Sequence, residues 1–272
     1  MASASMNVSV GIIGVGSMGS AIARGLVTSG TLDASQLVVC DAIEACTQPL
    51  AELGMRVVAG AQELTAEQTD VVVLAVKPQV LPDVCAGLAD SLEGRLVVSI
   101  AAGVALATLE ELLPGARVVR VMPNLPIQVL SGATAVYAGS RAEQRDAELV
   151  RSLFAALGAA QIMREDQLDA EGAVVSCGPA YVALFIDALT RAGILRGLPA
   201  AACRELVEAT VLGVAQTLLQ TGEHPRAYME RVTSPGGTTA AALLELEPLL
   251  VEGAYAAVDA ALERTQELAE GR

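Results

Sequence analysis

Basic side chains are scarce in this chain. Its 272 residues include one lysine, Lys77, and one histidine, His224, and 17 lysines and arginines face 31 acids, for a formal charge of −14. With no basic cluster, neither nucleic acid nor an anionic membrane surface is an expected partner. An anionic ligand must then be held by local backbone amides. The five cysteines are odd in number and lack framework or metal-ligand spacing. This predicts buried free thiols, no metal site and a reducing compartment, the cytoplasm by default. No charged n-region precedes the first apolar run and no uninterrupted run reaches membrane length, so neither a targeting nor a spanning segment is expected. Internal repeats and low-complexity tracts are also absent.

Apolar residues, in contrast, are plentiful. A hydrophobic content of 53% and a mean hydropathy of +0.52 promise more apolar surface than one monomer covers, which predicts an oligomer. Strand-like runs at residues 8–13, 36–41, 56–58, 71–76, 96–100 and 117–122 alternate with helical segments, and 133–138 and 159–163 extend the pattern around a helix at 142–157. Alternation of this kind predicts an α/β fold with a doubly wound, mostly parallel sheet over residues 1–164. From Glu165 the pattern is helical only: a long helix at 168–196 interrupted near Cys177-Gly-Pro179, then 200–220, 226–231 and two final helices after Ser234. Residues 165–272 are therefore expected to form an all-helical second domain.

The first strand runs into Gly14, Val15, Gly16, Ser17, Met18 and Gly19, the spacing of a dinucleotide fingerprint in its strand-turn-helix context. Gly14 suits the tight turn, Gly16 the approach of the pyrophosphate, and Gly19 close helix–strand packing, with the phosphates over the helix N-terminus. Asp41 ends the second strand about 20 residues on, where a carboxylate holds the ribose hydroxyls of NAD. A solvated aspartate in a turn is the plainer alternative. No lysine or arginine lies between Arg24 and Arg56 to pair a 2′-phosphate, which favours NADH or dual use.

A second anion receptor lies at Ser234, Pro235, Gly236, Gly237, Thr238 and Thr239, directly before the helical run 240–247. Ser234 suits the cap and Pro235 the first helical position, so the amides of Gly236, Gly237, Thr238 and Thr239 would be unpaired at the positive end of the helix. An ordinary capped helix explains Ser-Pro equally well, but it has no need of the glycine pair.

Together these motifs give the whole chain a resemblance to the pyrroline-5-carboxylate reductase family. The matching segments are Gly14 to Gly19, Ala75-Val-Lys-Pro78, Ser99-Ile-Ala-Ala-Gly103, Arg120-Val-Met-Pro-Asn124, Gly178-Pro-Ala-Tyr181 and Val232 to Thr239. The resemblance implies an NAD(P)H-dependent reductase that converts 1-pyrroline-5-carboxylate to L-proline, the last step of proline synthesis. It further implies an N-terminal cofactor domain and a helical domain that forms a homodimer, often assembled into a decamer of five dimers. By the same resemblance Ala75, Val76, Lys77, Pro78, Ala101, Ala102 and Asn124 border the cofactor, with Glu165 and Arg231 near it. Residues 234–239 hold the substrate carboxylate, and Thr239 faces the ring nitrogen. The chain differs from the family pattern at Ser176, Cys177 and Leu125.

The scarcity of lysine and histidine fits imine chemistry. Reduction of a ketone or aldehyde needs a nearby acid for the developing alkoxide, and the helical region has no lysine at all. An imine protonated at nitrogen already is the electrophile, so binding and orientation supply most of the catalysis. Another cyclic imino acid would satisfy the same receptor, and a noncatalytic NAD(P)-binding regulator is the reading from a different class. Lys77 read without the resemblance is a solvated strand-end lysine, His224 a surface loop residue, Cys177 a buried packing thiol and Tyr181 a helix-packing residue whose hydroxyl finds a partner.

Overall fold

The computed structural model describes residues 6–269. These divide into two compact units, residues 6–176 with 265–269, and Cys177–Arg264.

In the first unit, short apolar runs bounded by turn residues form the strands β1 (Val10–Ile13), β2 (Leu37–Cys40), β3 (Arg56–Val57), β4 (Val71–Leu74), β5 (Leu96–Ser99), β6 (Arg117–Pro123), β7 (Gly132–Ala138) and β8 (Gly158–Ile162). Between them lie the helices α1 (Ser17–Thr28), α2 (Glu44–Ala51), α3 (Ala61–Ala66), α4 (Leu81–Ala86), α5 (Leu106–Leu112), α6 (Gln144–Ala155) and α7 (Leu168–Glu171). The sheet order is β3-β2-β1-β4-β5-β6-β7-β8. All pairings are parallel except β6 with β7, so the doubly wound architecture expected from the sequence is the one observed. β1, β2, β4 and β5 are buried on both faces, as parallel strands under helices must be. Val10, Ile12, Val39 and Val73 pack in one core with Ile22 and Leu26 of α1. Val38, Val72 and Val97 pack in the other with Leu81 of α4 and Leu109 of α5.

Several details differ from expectation. β4 ends at Leu74, so Ala75 to Pro78 form the turn beyond the strand. Residues 165–176 pack with the first unit rather than the second, because Leu168 joins Ala135 and Tyr137 in a small apolar cluster on the sheet. The interruption foreseen near Cys177 is real and takes the form of a π-helical turn at Gly172–Ser176. Burial raises the Cys40 and Cys85 thiols to about 11, which keeps them inert packing groups.

The second unit comprises α8 (Gly178–Leu195), α9 (Ala200–Thr221), α10 (Pro225–Arg231) and most of α11 (Thr238–Ala269). The two final helices expected after Ser234 are one. Pro248 lies inside α11 and cannot supply the amide for the Leu244 carbonyl, but the helix continues through it. α8 and α9 approach closely, since a Cβ on Gly193 would lie 2.5 Å from Cys203 Sγ. Among the described residues of this unit only Thr190 and Cys203 are buried, while Leu195, Leu219, Leu244 and Tyr255 are each more than 70% exposed. Four helices with almost no core of their own have not yet buried their apolar stripes. By length and composition, the run Glu165–Leu195 is apolar enough to cross a membrane, although Asp187 and the π-turn interrupt it.

Candidate active site

The glycine loop lies where the strand order reverses, between β1 and its neighbours β2 and β4, at the carboxyl ends of the strands. Gly14 has φ +90, and a Cβ there would lie 2.9 Å from the Ala75 carbonyl oxygen and from Val76 Cγ1. Gly16 borders open space. At Gly19 a Cβ would sit 2.0 Å from the Gly14 carbonyl oxygen and 3.1 Å from Ala75 Cβ, so helix and strand pack at a distance only glycine permits. Among the described residues, no protein group accepts from the amides of Gly16, Ser17, Met18 and Gly19, because α1 bonding starts with Ser20 N to Gly16 O at 3.0 Å. This gives four amide donors at the positive end of a 12-residue helix, an arrangement that fits a dinucleotide pyrophosphate.

Asp41 turns toward this loop. Its Oδ2 accepts from the Val15 amide at 2.7 Å and its Oδ1 from the Ile43 amide at 2.9 Å. Val15 is thus committed to Asp41 and is not a free donor for phosphate. A carboxylate accepts about four hydrogen bonds, which leaves lone pairs for ribose hydroxyls. Asp41→Ser is expected to shift relative affinity toward NADPH, because the charge that repels a 2′-phosphate is gone. Any slackening of the loop weakens both cofactors and cancels in the ratio. Titration with NADH and NADPH checks this, and an unchanged ratio would place Asp41 away from the ribose.

The loops after β4 and β5 share this edge of the sheet. Ala75 N donates to Ile13 O at 2.8 Å, which fixes the turn that carries Val76, Lys77 and Pro78. Lys77 is exposed. Ala101 is buried, Ala102 is exposed, and Gly103 adopts φ +73. Asn124 follows β6 with its side chain engaged: Oδ1 accepts from Ala133 N at 2.8 Å, and Nδ2 donates to Val175 O at 3.1 Å. It pins the π-turn to the sheet. Glu165 Oε1 accepts from Leu106 N at 2.6 Å, at the start of α5. Glu165 also lies 3.9 Å from Nη1 of the buried Arg120.

In the second unit, residues 234–239 form a turn followed by a helix start. Gly237 N donates to Ser234 O at 2.9 Å, and Gly236 has φ +68, the geometry of a Pro-Gly type II turn. Ser234 is therefore the first residue of a turn and not the helix cap. α11 begins at Thr238, so the Gly237 amide is used inside the turn and is not free as expected. The amides of Gly236, Thr238 and Thr239 meet no protein acceptor among the described residues, and the first α11 bond runs from Ala241 N to Gly237 O at 3.2 Å. The glycine pair has two separate causes. Gly236 supplies the positive φ, and Gly237 has no room for a side chain because a Cβ would lie 2.3 Å from Ser234 Oγ.

The remaining candidates resolve simply. His224 caps α10, its Nδ1 accepting from Arg226 N at 3.1 Å. Arg231 pairs with Glu223 at 2.8 Å and stacks on Tyr228, its carbon 4.8 Å from the ring centroid. Cys177, expected to be buried, is exposed at the start of α8, where it hydrogen-bonds Tyr181. A unit without a core has nowhere to bury it. No group of acidic, histidine or cysteine side chains among the described residues could hold a metal. Sequence reasoning missed Glu171, a buried carboxyl on α7. Its signal was present in the spacing, since it falls three residues after Leu168 and shares the sheet-facing side of the helix.

A doubly wound sheet with a glycine loop at the strand reversal, continued by an all-helical unit, defines a dinucleotide-dependent oxidoreductase. Residues 9–103 match the family model described as NADP oxidoreductase, coenzyme F420-dependent, and residues 165–268 match that for pyrroline-5-carboxylate reductase dimerisation. The chain is 39% identical over 264 residues to a pyrroline-5-carboxylate reductase of Synechocystis, covering 97% of this chain and 99% of that one. It is 37% identical over 270 residues to one of Arabidopsis thaliana, covering 96% and 95%. A solved pyrroline-5-carboxylate reductase of Coxiella burnetii superposes with a TM-score of 0.92 at 34% identity, over 97% of this chain and 99% of that one. Plasmodium falciparum pyrroline carboxylate reductase with NADP bound gives 0.84 at 28% identity, over 98% and 100%. The chain belongs to the pyrroline-5-carboxylate reductase family.

Proposed function

We propose that the chain reduces 1-pyrroline-5-carboxylate to L-proline with NADH or NADPH as donor. The carrying observation is the turn at residues 234–239, whose Gly236, Thr238 and Thr239 amides have no protein acceptor among the described residues and stand at the start of a 32-residue helix. They offer a small carboxylate several donors without a lysine or arginine. The amides of Gly16 to Gly19 take the pyrophosphate, Asp41 the ribose, and Ala75 to Pro78, Ala101, Ala102 and Asn124 border the cofactor. When bound, the reduced nicotinamide supplies the hydride. The amides of Gly236, Thr238 and Thr239 hold the substrate carboxylate on the turn that Ser234 and Gly237 close, and the Thr239 hydroxyl bonds the ring nitrogen as it becomes an amine. The protonated imine needs no strong acid from the protein, which suits a chain with one lysine and one histidine.

Residues 1–164 carry the cofactor, and 165–272 carry substrate binding and dimerisation. The uncovered leucines of α8, α9 and α11 support a homodimer in which the helical regions cover each other, and five dimers can assemble into a decamer. The absence of disulfides among the described cysteines accords with a cytoplasmic enzyme.

Thr239→Val tests the site. Turnover on pyrroline-5-carboxylate is expected to fall roughly two- to tenfold, the worth of one hydrogen bond, with the NAD(P)H dissociation constant unchanged. Steady-state rates with fluorescence titration decide it, and unchanged turnover removes Thr239 from the chemistry. Wild-type activity confined to a larger cyclic imino acid would replace the substrate, and no activity on any imine would leave a nucleotide-binding regulator.

A further inference from the structure

The sheet face beneath residues 165–176 holds a polar cluster that the reduction does not use. Arg120 of β6 stands opposite Tyr137 of β7, and Glu171 of α7 lies over this face. Arg120 is 1%, Tyr137 1% and Glu171 7% exposed. The Arg120 Nε and Nη2, the Tyr137 hydroxyl and both Glu171 oxygens are buried without a hydrogen-bond partner among the described residues. Unpaired donors and acceptors gathered in one buried place are an unstable arrangement unless a proton or a small shift satisfies them.

Of the groups around the one guanidinium, Glu165 acts on it most strongly, then Tyr137 and Asp169, and Glu171 least. Burial depresses Arg120, and Glu165 is the foremost group opposing it. Burial raises Glu171 to about 7 against the pull of Arg120, and raises Tyr137 to about 12, so Tyr137 stays neutral. Glu165 is the link outward, since the oxygen 3.9 Å from Arg120 also accepts from the Leu106 amide at 2.6 Å. Leu106 opens α5, directly after the loop with Ala101, Ala102 and Gly103 at the ligand-binding edge of β5.

We propose that Glu171 is a positioning residue for the cofactor edge. While neutral, it leaves Arg120 to hold Glu165 on the Leu106 amide; once ionised, it draws Arg120 away and loosens the loop at residues 100–105. Its functional half rests on the proposed reading that Ala101 and Ala102 border the cofactor. The direction in pH follows from linkage. A carboxyl whose folded-state value lies above its unfolded value binds its proton more tightly when folded. Its stabilisation is therefore complete at low pH and lost as pH rises through about 7.

The test uses the full-length wild type and Glu171→Gln, which keeps the shape and cannot ionise. Tm and the NAD(P)H dissociation constant, from fluorescence, are followed from about pH 6 to about pH 8, one unit either side of the Glu171 value. In wild type, Tm should fall and the dissociation constant rise roughly fivefold, the lower edge of ordinary coupling between sites. Glu171→Gln should flatten both profiles and exceed wild type in Tm at the alkaline end. Parallel profiles overturn the proposal, as does a Gln variant less stable than wild type at the alkaline end, which would mean a permanently ionised Arg120–Glu171 pair. Glu165→Gln gives an independent arm that holds even if Glu171→Gln does not fold. It should weaken cofactor binding and flatten its pH dependence while keeping the pH dependence of Tm, and a wild-type binding profile in it sinks the relay. Failure to bind NAD(P)H at any pH refutes the proposed function itself, whereas tight binding indifferent to pH refutes only the role of Glu171.

Discussion

Gly19→Val is expected to lose NAD(P)H binding and to destabilise the protein, whereas Gly16→Val loses affinity at nearly unchanged stability. The difference lies in what each Cβ meets. At position 19 it would stand 2.0 Å from the Gly14 carbonyl oxygen, and that atom belongs to a backbone already fixed by Gly14 N donating to Cys40 O at 2.9 Å. Neither partner can turn aside, so α1 must lift from β1 and carry its N-terminal amides with it. Overpacking of this kind costs about 3 kcal/mol, the upper end of the usual range, or more. At position 16 a Cβ meets nothing within 4 Å, so the fold is indifferent, but the side chain fills the space over the helix N-terminus. Thermal unfolding and cofactor titration of the two variants separate the effects. A Gly16→Val protein that binds NAD(P)H as tightly as wild type would show that the pyrophosphate does not approach the main chain there.

The glycine loop was legible in the sequence because its three glycines answer three local demands: a positive φ, an open face and a close crossing. The sheet was legible for a similar reason, since strands buried on both faces must read as uninterrupted apolar runs such as residues 71–74. Where the outcome depends on distant partners, sequence spacing was silent. Asp41 was identified by its distance from the loop, but nothing in that distance shows that its oxygens hold Val15 and Ile43. Two helices are expected after Ser234, whereas the single α11 runs on through Pro248 in spite of that residue's local cost. Glu171 was passed over as one acid among 31, and its burial depends on residues 165–176 lying against β6 and β7. The π-turn at Gly172–Ser176 that follows it is tied to the sheet by Asn124, an interaction across 51 positions of sequence.

The receptor at residues 234–239 shows the same division. Its amide donors could be anticipated from Pro-Gly-Gly before a helix, but the start of that helix lies later than capping rules placed it, because the Ser234-to-Gly237 turn comes first. That turn makes Gly237→Val the most damaging change expected in the helical unit. A Cβ would lie 2.3 Å from Ser234 Oγ and 3.1 Å from Ser234 O, the oxygen that accepts the Gly237 amide. The hydroxyl can rotate away, but the carbonyl can move only by opening the turn, and the branched atoms of valine add to the pressure. Once the turn opens, the amides of Gly236, Thr238 and Thr239 no longer converge, and a carboxylate loses its donors together. Charge-assisted bonds of this type are worth about 1.5–3 kcal/mol each, so the loss of two or more should take proline binding beyond measurement. NAD(P)H affinity should be unaffected, since the glycine loop belongs to the other compact unit. Gly236→Asn is the milder companion, because asparagine tolerates the left-handed region at φ +68 and nothing lies within 4 Å of its Cβ. Calorimetric titration of NADH-loaded Gly237→Val with proline decides the matter, and binding that persists at wild-type strength would mean that the carboxylate is held elsewhere.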